Sequence, residues 1–319
     1  MTNRPSEPKP GLSMSATDWI LLLVLSVLWG GSFYFAKIAV PEIPPLTLAL
    51  GRVGIAAIAL LVVARLVAGP FPRDPAVWLQ LGVLAALNNA IPFTLIFWGQ
   101  FHISIGLASI LNATTPLLFG VLVAHVLTQD DRLTRGRVVG LLAGFVGVVV
   151  LIGPGLISEL GADVLAEFAC LAASCSYAFG AVLSRRLRGL SPMMVASGQL
   201  TMSTLLLLPA VLLFGRPAAF FTASNEALAA LFGIALLSSA AAYFIYFRLI
   251  ARAGATNALL VTFLIPVSAI LMGLVLLDES IGARQLAGMA AIFIGVAAID
   301  GRAGRFIARN LQRTNGVAG

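Results

Sequence analysis

The fold is decided by residues 18–38, DWILLLVLSVLWGGSFYFAKI. This stretch is charged only near its two ends, at Asp18 and Lys37, and it has the roughly 20 residues that a helix needs to cross the hydrocarbon core of a bilayer. Similar apolar stretches, separated by short polar segments, fill most of the remaining chain. They cover residues 46–68, 76–98, 104–126, 135–152, 163–184, 193–214, 225–247, 255–277 and 282–301. The pattern predicts an all-α integral membrane protein with ten transmembrane helices.

The composition supports the same interpretation. Of the 319 residues, 60% are hydrophobic and 10% are charged, whereas about 25% of the residues of a typical soluble domain are charged. Such a chain cannot cover itself with polar surface, so the bilayer is its solvent. A transmembrane β-barrel is a poor alternative, because the apolar stretches are too long for its strands and lack their alternation of apolar and polar residues.

The basic residues lie mainly in the short segments between apolar stretches. They produce a net charge of +7, but their placement is typical of a topology signal in membrane proteins rather than of nucleic-acid binding. If the N-terminus is cytoplasmic, Arg216 and Arg284 are the only loop cations left outside. We therefore expect a multi-pass protein of the bacterial inner (plasma) membrane with two cytoplasmic tails, a disordered one at 1–17 and a basic one at 302–319.

The two halves of the chain resemble each other at a constant shift of 148 residues. The matched pairs are Lys37 and Arg185, Pro44 and Pro192, Asp131 and Glu279, Gly140 and Gly288, and Gly147 and Gly295. The matches predict two repeats, 18–152 and 163–301, of five helices each. Because five is odd, the second repeat must cross the membrane upside down relative to the first. Inverted repeats of this kind occur in secondary transporters, where the substrate site lies between the repeats.

Several motifs resemble those of a known family. The segment Trp29-Gly30-Gly31-Ser32-Phe33, with Lys37, Pro45 and Arg52 after it, is similar to the opening of the EamA family in the drug/metabolite transporter (DMT) superfamily. The ends of that family's two repeats resemble residues 108–116 and 131–147 in the first half, and Pro266 with residues 279–295 in the second. The resemblance covers roughly residues 18–301.

The resemblance implies ten helices in two inverted repeats and the export or exchange of small metabolites, notably amino acids. It also implies a central cavity among helices one, three, four, six, eight and nine, with the fifth and tenth packed behind. We therefore expect a secondary transporter that exports or exchanges small metabolites, above all amino acids, by alternating access. The alternatives are an exporter of sugars, nucleosides or drugs on the same fold, and, in a different class, a channel or a membrane scaffold.

Polar residues and prolines in the middle of apolar stretches are the first candidates for a substrate site. Amides at that depth are disfavoured unless they find a partner or line a wet cavity, and interrupted helices at matching places in two repeats are typical of transport sites. Hydrogen bonding between helices and simple proline kinks are the structural alternatives. The residues concerned are Asn88, Asn89, Asn112, Thr115, Asn257 and Thr262, with Pro116 and Pro266 as hinges.

Aromatic and hydroxyl side chains near the middle of the stretches complete the predicted site. A cavity lined by aromatics with a few polar groups suits a small, partly apolar ligand, although packing in the protein core is the alternative for any single aromatic residue. The predicted residues are Trp29, Ser32, Phe93, Tyr177, Ser239, Tyr243 and Tyr246.

Charged residues within the stretches are few. Lys37, Arg52, Glu167 and Asp300 each lie within about two turns of a predicted end, where long side chains can snorkel to the interface. Glu167 is the only candidate proton carrier, and the alternative is an interfacial acid paired with Arg52 or Lys37. The glycines at 140, 144, 147, 288 and 295 are interpreted as a structural stripe that lets helices approach closely.

Nothing in the sequence indicates an enzyme. Motifs for zinc proteases, haem attachment and phosphate loops are absent from the sequence. Cys170 and Cys175 fall on different sides of one predicted helix and suggest neither a disulfide nor a metal site. We expect no cofactor and no metal, and as partners only a small-molecule substrate and the lipid bilayer; the oligomeric state is left open, with a monomer plausible.

Overall fold

The computed structural model describes residues 14–67, 69, 71–115, 135–152, 162–187, 189–253, 258 and 260–300. Within these ranges the chain consists of helices, turns and short connections, without a β-strand. Six of the helical stretches are long and apolar enough to cross a membrane: Ala16–Ala39, Pro45–Leu66, Pro75–His102, Ala162–Ser184, Pro192–Phe214 and Asn225–Ala253. The all-helical prediction is confirmed for this part of the chain, while the count of ten and the inversion of the repeats stay predictions.

The first half begins with a well-capped helix. Ser15 accepts a hydrogen bond from the Asp18 backbone N–H, and the Asp18 side chain accepts one from the Ser15 backbone N–H, which closes a capping box. Pro45 and Pro75 then stand at the first positions of their helices, where proline is favoured. The helices are α1 (Ala16–Ala39), α2 (Pro45–Val67), α3 (Pro75–Ala85), α4 (Ile91–His102), α5 (Ile105–Asn112) and α6 (Arg135–Ile152).

The second half is also helical in the ranges that the structure describes. Ser191 and Ser224 cap two of its helices by accepting hydrogen bonds from backbone N–H groups. Its helices are α7 (Ala162–Ser184), α8 (Pro192–Phe214), the short α9 (Ala219–Thr222), α10 (Asn225–Phe232), α11 (Ala242–Ala253), α12 (Val261–Leu276) and α13 (Ala283–Asp300).

Two of the long spans contain a π-helical segment. Ala86–Ala90 joins α3 to α4, and Gly233–Ala241 joins α10 to α11. The two segments coincide at the shift of 148 residues that relates the two halves of the sequence. A π-turn adds a residue and rotates the following side chains relative to a regular α-helix, and such turns are frequent at functional sites. Regular helical periodicity therefore misplaces the side chains around both segments.

Large apolar side chains cover much of the outer surface. Leu66 is 80% exposed, Leu213 74% and Phe214 84%. Soluble monomers rarely expose continuous apolar surface of this kind, so these faces are the ones that contact lipid.

Glycines allow two pairs of helices to come very close. A Cβ added at Gly147 of α6 would lie 2.8 Å from the Gly288 carbonyl oxygen of α13, and one at Gly30 of α1 would lie 2.7 Å from Cβ of Ser268 on α12. The α6–α13 contact shows the structural role expected for the glycine stripe. The α1–α12 contact joins the first half of the chain directly to the second.

Candidate functional site

A cavity of about 330 Å³ lies among α1, α2, α4, α5, α7, α11, α12 and the two π segments. Its volume falls within the range of small-molecule sites in proteins. Both halves of the chain contribute to its wall. Ten residues of the predicted site line it: Trp29, Ser32, Asn88, Phe93, Asn112, Thr115, Tyr177, Tyr243, Thr262 and Pro266. Helix α2 also contributes, although the family resemblance did not place a cavity wall there.

The residue contributed by α2 is Arg52. Its position near the end of an apolar stretch predicted a side chain at the membrane interface. That interpretation is wrong, because Arg52 is only 7% exposed and lines the cavity. Its Nε donates to Ser239 Oγ and its Nη1 to Ser32 Oγ, both at 3.0 Å. The guanidinium carbon lies 3.8 Å from the centre of the Phe93 ring, within range of a cation–π interaction. These partners hold the side chain inside the bundle and prevent it from snorkelling.

The two adjacent asparagines of the first π segment have different surroundings. Asn88 lines the cavity, and Gly180 on α7 makes room for it, because a Cβ at that position would collide with the Asn88 side-chain oxygen. Asn89 is fully buried, and its Nδ2 donates to Ser203 Oγ on α8 at 2.9 Å. Asn89 therefore joins helices and is not part of the cavity wall, contrary to its place in the predicted site.

Ser239 and Tyr246 also lie behind the cavity wall rather than in it. Ser239 is the acceptor for Arg52, and the Tyr246 ring packs against Trp29 with their centres 5.2 Å apart. Both residues support residues that line the cavity. Ser239 lies in the second π segment, where the helical periodicity changes, so its spacing from Tyr243 in a regular helix does not predict whether it reaches the cavity.

Two of the predicted site residues, Pro116 and Asn257, lie outside the described residues. Thr115, which precedes Pro116 in the sequence, lines the cavity. Thr262 and Pro266 on α12 also line it. The role of Pro116 and Pro266 as hinges stays a prediction.

Some residues of the cavity wall carry a side-chain oxygen atom that makes no hydrogen bond within the described residues. Gln100 Oε1, Asn112 Oδ1 and Ser238 Oγ are sealed from solvent and have no hydrogen-bond partner in the part of the chain that the structure describes. A buried polar atom without a partner costs about 1–3 kcal/mol. Among the described residues, those that line the cavity therefore include three with an unsatisfied buried oxygen, in addition to the cation Arg52. Gln100 and Ser238 are not in the predicted site, and the only sequence signal for them is their position within apolar stretches.

One end of the bundle is held together by charged side chains, which we call the Glu279 clamp. Glu279 accepts hydrogen bonds from the backbone N–H groups of Ile105, at 2.9 Å, and Gly106, at 3.5 Å, at the start of α5. Lys37, near the end of α1, donates to the carbonyl oxygens of Gln100, at 2.8 Å, and Ile103, at 2.9 Å. The clamp thus fixes the turn between α4 and α5 from both sides. Asp131, the counterpart of Glu279 in the first half, lies outside the described residues.

The proposed pairing of Glu167 with Arg52 or Lys37 is wrong. Both of those cations are bound elsewhere, and Arg284 is the cation that acts electrostatically on Glu167. Glu167 is 6% exposed and lies on α7, and it is not part of the cavity wall.

Comparison with known proteins agrees with this architecture. The sequence profile of the EamA-like transporter family matches the chain twice, at residues 17–153 and 164–299. The chain belongs to the EamA-like transporter family. It is therefore a multi-pass membrane protein that transports small molecules, as its apolar helices and central cavity also indicate.

Relatives of this EamA-like transporter are known in several bacteria. Protein PecM of Dickeya dadantii is 28% identical over 83% of this chain and 86% of its own length. The probable amino-acid metabolite efflux pump of Salmonella typhimurium is 28% identical over 89% of this chain and 94% of its own length. The probable terminal-alkyne amino-acid exporter of Streptantibioticus cattleyicolor is 26% identical over 91% of this chain and 95% of its own length.

A solved structure shows the same fold. A crystal structure of another protein superposes on this EamA-like transporter with a TM-score of 0.62, covering 90% of this chain and 98% of that one at 19% identity. The likeness extends over both halves and concerns the fold alone.

Proposed function

We propose that this protein exports small metabolites, and amino acids first, across the bacterial inner membrane by alternating access. The observation that carries the proposal is the cavity between the halves of the chain. Trp29, Arg52 and Asn88 from the first half face it together with Tyr177 and Tyr243 from the second. Secondary transporters built from two repeats bind their substrates at such a place.

The finer architecture belongs to the same proposal. Ten helices form two inverted repeats, 18–152 and 163–301, with both termini and the tails 1–17 and 302–319 in the cytoplasm. The matched π segments and the two matches to one family profile support the repeats. The distribution of basic residues in the connecting segments supports the orientation.

Alternating access requires that each end of the cavity can open in turn. The Glu279 clamp supports such a cycle, since its bonds tie α1, α5 and the segment before α13 to one another at a single end. In a second state these few hydrogen bonds can be replaced by bonds to water or to other protein groups, at a moderate cost in free energy. In the proposed cycle the clamp closes that end while the other end is open.

Amino acids are favoured as substrates by relatives and by the cavity. The Salmonella and Streptantibioticus relatives bear the names of an amino-acid metabolite efflux pump and an amino-acid exporter. The volume of about 330 Å³ suits a small molecule, and the mixture of aromatic rings, amides and a cation suits a zwitterion with an apolar side chain.

Counterflow into proteoliposomes tests this function. Vesicles with purified protein are loaded with one unlabelled L-amino acid, and uptake of the same labelled amino acid is measured against empty liposomes. We expect saturable counterflow with at least one amino acid, because a carrier exchanges substrate across the membrane. Flux that does not respond to the internal amino acid would indicate a channel. If no amino acid shows any flux, the result would favour sugars, nucleosides or drugs as the substrate.

A matched pair of tryptophan variants places the activity in the cavity. Trp29 lines the cavity, whereas Trp19 lies on the same helix and is 48% exposed on the outer surface. Trp29→Ala should lower the rate of counterflow at least tenfold, and Trp19→Ala should leave it near the wild-type rate. Equal effects of the two substitutions would contradict the assignment of the cavity.

A further inference from the structure

Arg52 is a buried cation without an anion in the described part of the chain. Its contacts are the hydroxyl oxygens of Ser32 and Ser239 and the face of Phe93, all of them neutral. A guanidinium group stays protonated in proteins, and a buried charge is costly unless an opposite charge or sufficient hydrogen bonds compensate it. Among the described residues, the site therefore lacks a negative charge to balance Arg52.

The geometry around Arg52 leaves one edge of the guanidinium free. Nε and Nη1 are engaged by the two serines, and Phe93 covers one face of the plane. Within the described residues Nη2 makes no hydrogen bond, yet it is not among the atoms sealed from solvent, and Arg52 lines the cavity. The unused N–H donors thus face the space where a substrate would sit. Guanidinium donors match the two oxygens of a carboxylate, which they bind as a parallel pair.

From these contacts we infer that Arg52 is the carboxylate-binding residue of the transport site, and that the substrate carries a carboxylate group. The inference rests on the proposed function and narrows it. Cationic drugs, including quaternary ammonium compounds, are poor substrates because Arg52 repels them. Neutral sugars and nucleosides leave the guanidinium without its counter-charge.

The same cavity wall also contains residues that suit the ammonium group of an amino acid. Gln100 Oε1 and Asn112 Oδ1 lack donors, and both residues line the same cavity as Arg52. The Gln100 amide is held by the hydrogen bond from its Nε2 to the Phe33 carbonyl oxygen, at 2.8 Å. The terminal torsion of an amide side chain is soft, so the Asn112 oxygen can turn toward a bound ammonium group. A zwitterion would then satisfy Arg52 with its carboxylate and the Asn112 oxygen with its amino group.

A comparison of acids with their amides tests the inference on the wild-type protein. The thermal unfolding midpoint of the detergent-solubilised full-length chain is measured with each of the twenty L-amino acids, with their α-amides, and with lactate and lactamide. The amide keeps the shape and removes the negative charge. We expect at least one acid to stabilise the protein at a concentration about tenfold or more below that of its amide. If no acid stabilises the protein more than its amide does, the inference is overturned.

Variants then assign the effect to one side chain. Arg52→Gln should abolish the difference between acid and amide, and Arg52→Lys should keep only part of it, because an ammonium group cannot bind both carboxylate oxygens in a fork. Arg65→Gln is the matched control, since Arg65 lies exposed on the same helix. An acid preference that survives Arg52→Gln would overturn the inference.

The two proposals fail in different ways. If an acid stabilises the wild type through Arg52 but no amino acid shows counterflow, the carboxylate site stands and the transport proposal fails. If an amino acid shows counterflow and its amide competes equally well, the transport proposal stands and the carboxylate site fails.

Discussion

The Glu279 clamp offers the sharpest test of how one end of the cavity stays closed. Glu279→Gln keeps the shape and an acceptor oxygen but removes the negative charge at the start of α5. The wild-type carboxylate accepts one good hydrogen bond, from Ile105 N–H at 2.9 Å, and one at the outer limit of length, from Gly106 N–H at 3.5 Å. Because the second bond is so long, only the bond from Ile105 contributes a full hydrogen-bond energy.

The free-energy cost of Glu279→Gln follows from the loss of charge in this one hydrogen bond. A hydrogen bond to a charged group contributes about 1.5–3 kcal/mol and one between neutral groups about 0.5–1.5 kcal/mol. Glu279 is partly exposed, so the lower end applies and the charge contributes about 1 kcal/mol. This amount shifts the equilibrium between closed and open forms of that end about fivefold.

The assay measures access to the cavity from each side of the membrane. Ser109→Cys places a thiol on α5 in the cavity wall, in a chain whose Cys170 and Cys175 are alanine. We expect a membrane-impermeant thiol reagent to label it about five times faster in the Glu279→Gln variant, from the Glu279 side only. Glu226→Gln makes the same charge change at an exposed residue and should not alter the rate. An unchanged rate in Glu279→Gln would refute the role of the clamp.

Two further predictions concern other contacts. Gly180→Ala should push the Asn88 amide out of place and lower counterflow about three- to tenfold, whereas Gly189→Ala, in open space, should leave it unchanged. Hydrogen bonds from Ser224 hold the pKa of Glu42 below its ordinary value, so its stabilising effect is present at neutral pH and is lost as the pH falls through that lowered pKa. The unfolding midpoint of Glu42→Gln should therefore depend less on pH below about pH 5 than that of the wild type; equal dependence would contradict this.

The six long helical spans and much of the cavity wall could be predicted from the sequence. Apolar stretches of about 20 residues have few alternatives in a bilayer, and polar residues such as Asn112 and Thr262 are conspicuous within them. Ten residues of the predicted site line the cavity for this reason. Their presence follows from local composition and requires no knowledge of which helices are neighbours.

Arg52 could not be predicted in the same way. Whether a long side chain near a helix end snorkels or turns inward depends on its partners, and these lie on other helices. Ser32 and Ser239 are 20 and 187 residues away in sequence. The role of Glu279 was hidden for a similar reason. It was recognised as a marker of the repeat, but its hydrogen bonds go to residues more than 170 positions away.

Two of the remaining errors fall within the π segments. Asn88 and Asn89 are adjacent in the first segment, and only Asn88 lines the cavity. Ser239 lies in the second segment and is not among the residues that line the cavity, whereas Tyr243 is. A π-turn has no clear sequence signature of its own. The matching shift of 148 residues between the two segments becomes visible only in the structure.

The central claim, that substrate passes through the cavity between the halves, is tested most directly at Ser238. This residue is 1% exposed and lines the cavity, so Ser238→Cys in the cysteine-free chain adds a thiol there with little change in volume. We predict that a small methanethiosulfonate reagent stops counterflow in this variant and that the transported amino acid slows the modification. The same reagent should have no effect on counterflow by the control variant Ser184→Cys, whose thiol lies outside the cavity wall. Full counterflow after complete modification of Ser238→Cys would contradict the account.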